Sequence, residues 1–335
     1  MGDRRDASQD GRIDCPLCGS GEPKAFIRDW KDYKLYDCPA CGAGFCLPFK
    51  APGAAYYAGN TDVYPHRAAE TTDPRTSEYD ECLSFLQAAP LKSRRLLDVG
   101  CGAGGFLNRA RGLGFEVSGL DFNKARLEAI RSQLGIQSLY CGSLEDFAQS
   151  HPTERFDVVA MFQILEHLDD PARWVRAAAS LLSPGGFFIV CVPDRDRTFD
   201  PFRGPGMDEI DNPPHHLTRW SVAALKTFVE NQSLKVLDCK SLGVPRAMLA
   251  FILRHRLRLG LATRSLGVDE VQHARPEALT GAMARRARVM HALVAVKEGM
   301  IDAAAFLAYP FFLLAFRAFG WRGAALYCAA RKPEA

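Results

Sequence analysis

The 335-residue chain lacks the features that mark several protein classes. No uninterrupted apolar stretch reaches the ~20 residues of a membrane-spanning helix. The longest, Ala303 to Phe316, stops at 14, with Asp302 and Arg317 at its borders and Pro310 inside. The sequence therefore predicts a buried helix there and no transmembrane segment. Internal repeats and low-complexity tracts are absent, which excludes solenoid and fibrous architectures. Charge of one sign is not in excess: 42 Lys and Arg face 39 Asp and Glu, a net +3. Met1 to Asp14 is polar and has no apolar signal segment. Eleven cysteines occur, but seven of them are scattered without pattern, so no disulfide framework is expected. A reducing, cytoplasmic setting follows as the expectation. A hydrophobic content of 47% suits one medium-sized enzyme domain with a small appendage.

The most informative feature is Leu96-Leu97-Asp98-Val99-Gly100-Cys101-Gly102-Ala103-Gly104-Gly105-Phe106. An apolar strand carries an acid near its end and stops in a glycine-rich turn that opens a helix. Glycine lets a ligand approach the backbone closely, and the helix start offers free N–H groups. Such a turn holds a nucleotide or nucleoside. Asp121-Phe122 ends the next apolar stretch, where an acid grips ribose hydroxyls in a doubly wound sheet. Gly100, Gly102 and Gly105 also satisfy the weak dinucleotide pattern G-x-G-x-x-G. Asp98 discriminates, because its carboxylate would repel a pyrophosphate but suits a cationic amino-acid group.

The string Leu97 to Gly105 resembles the first motif of class I S-adenosylmethionine-dependent methyltransferases. The resemblance runs on in order, over roughly Arg75 to Ser241 plus a last strand. It implies cofactor contacts from Asp98, Gly100, Gly102, Gly104, Asp121, Phe122, Leu144, Glu145 and Phe162. Gly142 to Phe147 resembles the loop on adenine. Ser143 stands where many relatives have an acid, which leaves Glu145 or Asp146 as replacements. Phe162 to Leu168 resembles the segment after strand four of ubiquinone-type O-methyltransferases. The fold implied is an α/β, doubly wound, seven-stranded Rossmann-like sheet. Its strands are read at Leu96 to Val99, Glu116 to Leu120, Phe156 to Met161, Phe187 to Val192 and Lys235 to Ser241, with an antiparallel closing strand within Gly323 to Lys332.

A second signal lies upstream. Cys15-Pro16-Leu17-Cys18 and Cys38-Pro39-Ala40-Cys41 are two C-x-x-C knuckles, the spacing of a zinc ribbon. Four thiolates leave no open position, so this zinc is expected to be structural; Cys46 reads as a spare buried thiol. The expected organisation is a ribbon over 1–50, a linker with N-terminal helices over 51–92, the cofactor-binding core over 93–242, a helical basic and apolar insertion over 243–322, and a closing strand with its tail over 323–335.

Charge is uneven along the chain. From Lys240 onward 15 Lys and Arg face six Asp and Glu, against 27 and 33 before it. Arginines alternate with apolar residues from Met248 to Leu259. The 246–290 region can lie on an anionic membrane surface or cover the substrate pocket as a cap.

Methyl transfer needs alignment and exclusion of water, and a hydroxyl acceptor must also lose its proton. His167, His215 and His216 are the candidate bases. The long segment from Pro193 to His216 is expected to close as a lid, and Pro213 to Thr218 resembles a substrate-facing segment of small-molecule methyltransferases. Glu166-His167 can instead help hold a divalent metal, as in some ubiquinone-type O-methyltransferases. The acceptor implied is a small molecule: a sugar, glycolipid, quinone-like ring or natural product, most simply methylated on oxygen. The alternative is an RNA base, since zinc ribbons precede some ribosomal-RNA methyltransferases. Against it, Lys24, Arg28, Lys31 and Lys34 of the ribbon are offset by Glu22, Asp29, Asp32 and Asp37.

Overall fold

A computed structural model describes residues 13–22, 24–53, 56, 76–198, 211–244, 249 and 281–334. The chain divides into two compact units, Met1–Gly243 with Arg322–Ala335, and Val244–Trp321.

The first unit begins with three antiparallel strands, β1 (Ala25–Trp30), β2 (Tyr33–Asp37) and β3 (Gly44–Leu47). Helix α1 (Thr76–Ala88) precedes an alternation of strands and helices: β4 (Arg95–Val99), α2 (Gly105–Gly112), β5 (Glu116–Asp121), α3 (Lys124–Leu134), β6 (Leu139–Cys141), α4 (Leu144–Ser150), β7 (Phe156–Phe162), α5 (Pro171–Leu181) and β8 (Leu182–Pro193). Then come the short β9 (Thr218–Arg219), α6 (Val222–Glu230), β10 (Lys235–Ser241) and β11 (Ala325–Arg331). The large sheet has the order β10-β11-β8-β7-β4-β5-β6, with β11 antiparallel to both neighbours and the other pairs parallel. This is the doubly wound, seven-stranded arrangement expected.

Burial explains why these segments are strands. Every residue of β7, Phe-Asp-Val-Val-Ala-Met-Phe, is buried, as a central parallel strand requires. Alternate residues sort to opposite faces. Leu97, Val159, Phe188, Val190 and Cys328 join the core on one side of the sheet. Leu96, Val158, Ile189, Tyr327 and Ala329 join the core on the other. Helix starts follow local chemistry. The side chains of Asn123, Ser143, Asp170 and Ser221 each accept a backbone N–H three residues on, and Pro171 fills the first turn of α5. Helix α5 stops at Leu181, and residues 182–186 already belong to β8, because Leu182 pairs with Phe156 ahead of the expected glycine stop.

The ribbon is joined to the core, not merely appended to it. Strand β9, from the segment after β8, completes the small sheet by pairing Gly44 with Arg219 and Phe45 with Thr218. Arg195, just past β8, pairs with Asp37 at 2.7 Å and donates to the Gly42 carbonyl at 3.1 Å. Trp220 is fully buried. The expectation of a free lid from Pro193 to His216 is therefore corrected at both ends: Asp194 to Arg197 and Asp211 to Trp220 are anchored by the ribbon and by each other. Phe199, Phe202 and Met207 lie outside the described residues.

In the second unit the main element is α7 (Gly281–Ala318), 38 residues with Pro310 inside it. Ala303 to Phe316 was expected to be a buried helix. Instead Phe306, Leu307, Phe311 and Leu314 are exposed, and only 11% of the apolar window within Gly299–Ala318 is buried. The helix continues through Pro310 and past Asp302 and Arg317, and its 20-residue stretch Gly299–Ala318 is long and apolar enough to cross a bilayer by length and composition. Leu249, Ile301 and Ala305 form a small cluster there. The arginine-rich segment from Met248 to Leu259 lies, apart from Leu249, outside the described residues.

The Asp37–Arg195 pair is half-buried, so Arg195→Ala is expected to cost roughly 1 kcal/mol. It should also expose the ribbon to limited proteolysis. An unchanged melting midpoint together with an unchanged digestion pattern would show that this joint contributes nothing.

Candidate active site

The glycine turn leaves β4 with Gly100, Gly102 and Gly104 all in the left-handed region, at φ 75°, 54° and 78°. At Gly100 a side chain is excluded twice, because a Cβ there would also fall 2.2 Å from Ile164 Cδ1. The Gly100 and Cys101 N–H groups donate to the Leu120 carbonyl at 2.7 and 3.1 Å, clamping the turn onto the end of β5. Asp121 then accepts the Gly102 N–H at 2.9 Å through Oδ2 and the Asn123 N–H at 2.8 Å through Oδ1. Thus the two predicted carboxylates stand at the carboxyl ends of adjacent strands, with the bare backbone of the turn between them. Asp98 is buried.

Two further polar groups belong to this end of the sheet. Glu78, on α1, is buried, and its Oε2 accepts from Gln163 Nε2 at 3.1 Å. Gln163 follows β7 with φ 58°, an uncommon backbone state for a side-chain-bearing residue, and its N–H donates to the Cys191 carbonyl at 2.8 Å. Sequence reasoning missed both. A signal existed for Glu78, which is one helical turn before the buried Cys82 and so places an acid on the apolar face of α1.

Around the predicted adenine loop, Ser143 is a helix cap and is bonded to Asp146 at 2.7 Å. Glu145 lies 3.4 Å from Arg173. Leu144 is fully buried in the core, so its side chain is not a ligand contact and only its backbone remains for one. Phe162 is likewise buried, 4.6 Å from the Phe106 ring and 5.0 Å from the Tyr79 ring. Phe122 stays partly open, its ring 6.3 Å from that of Trp174.

The three predicted histidines converge. A 3₁₀ turn, Leu165–His167, follows β7, while His215 and His216 come from the segment before β9. One ring nitrogen from each lies within 4.8 Å of those of the other two. His167 Nδ1 is 2.7 Å from the His215 carbonyl, which can only accept, so that nitrogen carries the proton and Nε2 is left with its lone pair. His216 Nδ1 lies 3.2 Å from Asp211 Oδ1. Burial would raise the Asp211 pKa. The His216 hydrogen bond and the Arg197 and Arg219 charges outweigh it and hold this carboxyl well below the usual range, so it is an acceptor. His216 Nε2 is therefore also a bare lone pair. Burial, reinforced by the neighbouring histidines, holds His167 well below an ordinary imidazole and takes His215 down to about 3. Burial also lowers His216, against the pull of Asp211. All three imidazoles are neutral at pH 7.

The ribbon positions this cluster. Trp30 Nε1 donates to the Pro213 carbonyl at 3.0 Å, and Arg28 donates to Asn212 Oδ1 at 2.9 Å. The Leu217 N–H donates to the Glu166 carbonyl at 2.7 Å, and the Leu217 carbonyl accepts from the Cys46 N–H at 3.1 Å. Within the ribbon the two knuckles repeat one geometry. Gly19 N–H donates to Cys15 O and Gly42 N–H to Cys38 O, both at 2.8 Å, with φ 72° at each glycine. Cys15 and Cys41 sulfurs are 3.8 Å apart, and those of Cys18 and Cys38 are 3.7 Å apart. Four thiolates bound tetrahedrally at ~2.3 Å stand ~3.8 Å apart, so the donor set fits zinc. Cys46 is buried outside this group, with its thiol pushed up to about 12 by burial.

Comparison with known proteins fits this geometry. A methyltransferase domain family matches residues 73–238. That stretch is a class I S-adenosylmethionine-dependent methyltransferase domain. Among curated relatives, the chain is 41% identical over 112 residues to a ubiquinone biosynthesis O-methyltransferase of Thiobacillus denitrificans, covering 32% of this chain and 48% of the relative. It is 36% identical over 123 residues to the Proteus mirabilis protein of that name, covering 34% and 49%. The chain thus spans about half the length of the curated relatives it matches. A solved S-adenosylmethionine-dependent methyltransferase from Archaeoglobus fulgidus aligns with a TM-score of 0.43 and 14% identity, covering 77% of this chain and 94% of that one.

Two outcomes test the site. Asp121→Ala removes both acceptor oxygens of the turn. It is expected to weaken adenosylhomocysteine binding at least tenfold by calorimetry, and equal affinity would remove Asp121 from the pocket. Stripping zinc with a strong chelator is expected to loosen β1 to β3 and, through Trp30 and Arg28, the histidine segment. Unchanged hydrogen exchange over 211–217 would contradict that coupling.

Proposed function

We propose that this protein transfers the methyl group of S-adenosylmethionine to a hydroxyl of a small-molecule acceptor. The observation that carries the reading is the position of three neutral histidines, one buried and two mostly buried, after β7 and before β9, on the domain whose glycine turn and paired carboxylates suit a cationic, phosphate-free nucleoside. The residues assigned to the cofactor are Asp98 toward the amino-acid ammonium, Gly100, Gly102 and Gly104 along its length, and Asp121 at the ribose. Phe122, with the backbone of Leu144 and the side chain of Glu145, faces the adenine, and Phe162 backs the pocket.

The bound cofactor supplies an electrophilic methyl on a sulfonium. The domain's own part is to hold the acceptor oxygen in line with that methyl, keep water out and dispose of the hydroxyl proton. Asp98, the glycine turn and Asp121 would hold the cofactor, which would supply the methyl and leave as a thioether, while the His167–His215–His216 cluster would take the proton from the acceptor hydroxyl. The O-methyltransferase names of the relatives support oxygen as the target. The quinone-like ring is the acceptor class they favour, and the ribbon serves as the scaffold of the histidine segment.

The test is turnover with a panel of catechol and hydroxyquinone acceptors. His216→Ala is expected to lower kcat by 100-fold or more while leaving adenosylhomocysteine affinity within about twofold. If kcat is unchanged across acceptors, the cluster takes no part in proton removal.

A further inference from the structure

We infer that helix α7 lies on an anionic membrane surface, with an exposed apolar stripe sunk among the lipid chains and both of its ends on the same side. The stripe consists of Val296, Met300, Leu307, Phe311 and Leu314, each between 60% and 74% exposed. Their spacing of four, seven, four and three residues puts all five on one line along the helix, about 27 Å long at 1.5 Å per residue. Ala303 and Ala304 fill the gap between Met300 and Leu307. The two charges within Gly299–Ala318 stand off this line: Asp302 roughly opposite Met300, and Arg317 roughly a quarter-turn to the side. The opposite face is already occupied. Ile301 and Ala305 are buried with Leu249, Tyr309 and Phe312 pack beside them, and the Tyr309 hydroxyl donates to the Val244 carbonyl at 3.0 Å. A continuous apolar stripe left on the outer side is a surface built for a partner.

Charge selects lipid as that partner. Residues 244–321 carry eleven Lys and Arg against five Asp and Glu, while the rest of the chain has 31 against 34. A second copy seated on the stripe would bring two basic units together, whereas anionic headgroups neutralise the excess. The path of the chain then fixes the mode. It leaves the large sheet after β10 and returns at β11, and the two points touch. The Leu242 N–H donates to the Ala325 carbonyl at 2.9 Å, and a side chain at Gly323 would run into the Leu242 carbonyl. A segment that leaves and returns at one place crosses a bilayer an even number of times or not at all. Between 244 and 298 no uncharged run exceeds eight residues, so the sequence supplies no second crossing. Helix α7 therefore lies in the interface despite its length. The family match ends at residue 238, so this surface belongs to the segment inserted after it. The membrane contact stands independently of the proposed reaction.

The test is flotation of the purified full chain with two kinds of vesicle, phosphatidylcholine alone and phosphatidylcholine mixed with phosphatidylglycerol. A double variant, Leu307→Glu with Phe311→Glu, is run beside the wild type. Wild type is expected to bind the anionic vesicles at least tenfold more tightly than the neutral ones, and less tightly as salt is raised. The double variant should bind the anionic vesicles at least tenfold more weakly, with an unchanged melting midpoint because both positions are exposed. Equal binding by wild type and variant, or no binding by wild type, would overturn the proposal. So would a wild type that ignores both vesicles and sediments as a dimer broken by the double variant, since the stripe would then belong to a second copy.

Discussion

The hydrogen bond from the Gly102 N–H to Asp121 is the joint on which the site depends. It exists because left-handed glycines at every second position, Gly100, Gly102 and Gly104, carry the chain from β4 back over the end of β5, a path that side chains at Gly100 and Gly104 would crowd. With the turn clamped there, the acid of one strand and the acid of the next flank an open stretch of backbone. The carboxyl ends of a parallel sheet are where such folds take their ligands, and the charge placed there decides which ligand. A pyrophosphate would meet two negative groups; a sulfonium with an ammonium meets complementary ones.

The ribbon gains its meaning from what it touches. Its four cysteines have the spacing a zinc ion would take, and few apolar residues are buried around them. Once folded, it contributes three strands to a sheet whose fourth strand comes from the core, and it bonds directly to Asn212 and Pro213. The histidines two residues further on are thereby held by a rigid frame. This is a loop in sequence but a fixed element in structure, and Arg195, Arg197 and Asp211 hold its two ends.

Much of this was legible in the chain. The strands announced themselves as continuous apolar runs bounded by glycine or charge, and Gly323 to Lys332 read as the antiparallel closing strand through its resemblance to the last strand of class I methyltransferases. The candidate histidines were named too, but their convergence was not. His167 and His215 lie 48 residues apart, and no local periodicity relates a 3₁₀ turn to a segment that only tertiary pairing fixes. The same reason hid Glu78, whose partner Gln163 lies 85 residues further along the chain, after β7. The apolar stretch around Pro310 was judged too short because Asp302 and Arg317 were counted as its borders, whereas the helix runs past both. A proline costs one hydrogen bond and a local clash, and a helix of 38 residues can absorb that.

The account stands or falls on which nucleoside the glycine turn accepts. Isothermal calorimetry of the full chain against adenosylhomocysteine, NAD and FAD in parallel addresses it directly. Saturable binding of adenosylhomocysteine, with no heat from either dinucleotide, is the result the structure requires. Binding of a dinucleotide in its place would contradict the assignment of Asp98, and with it the chemistry built on that carboxylate.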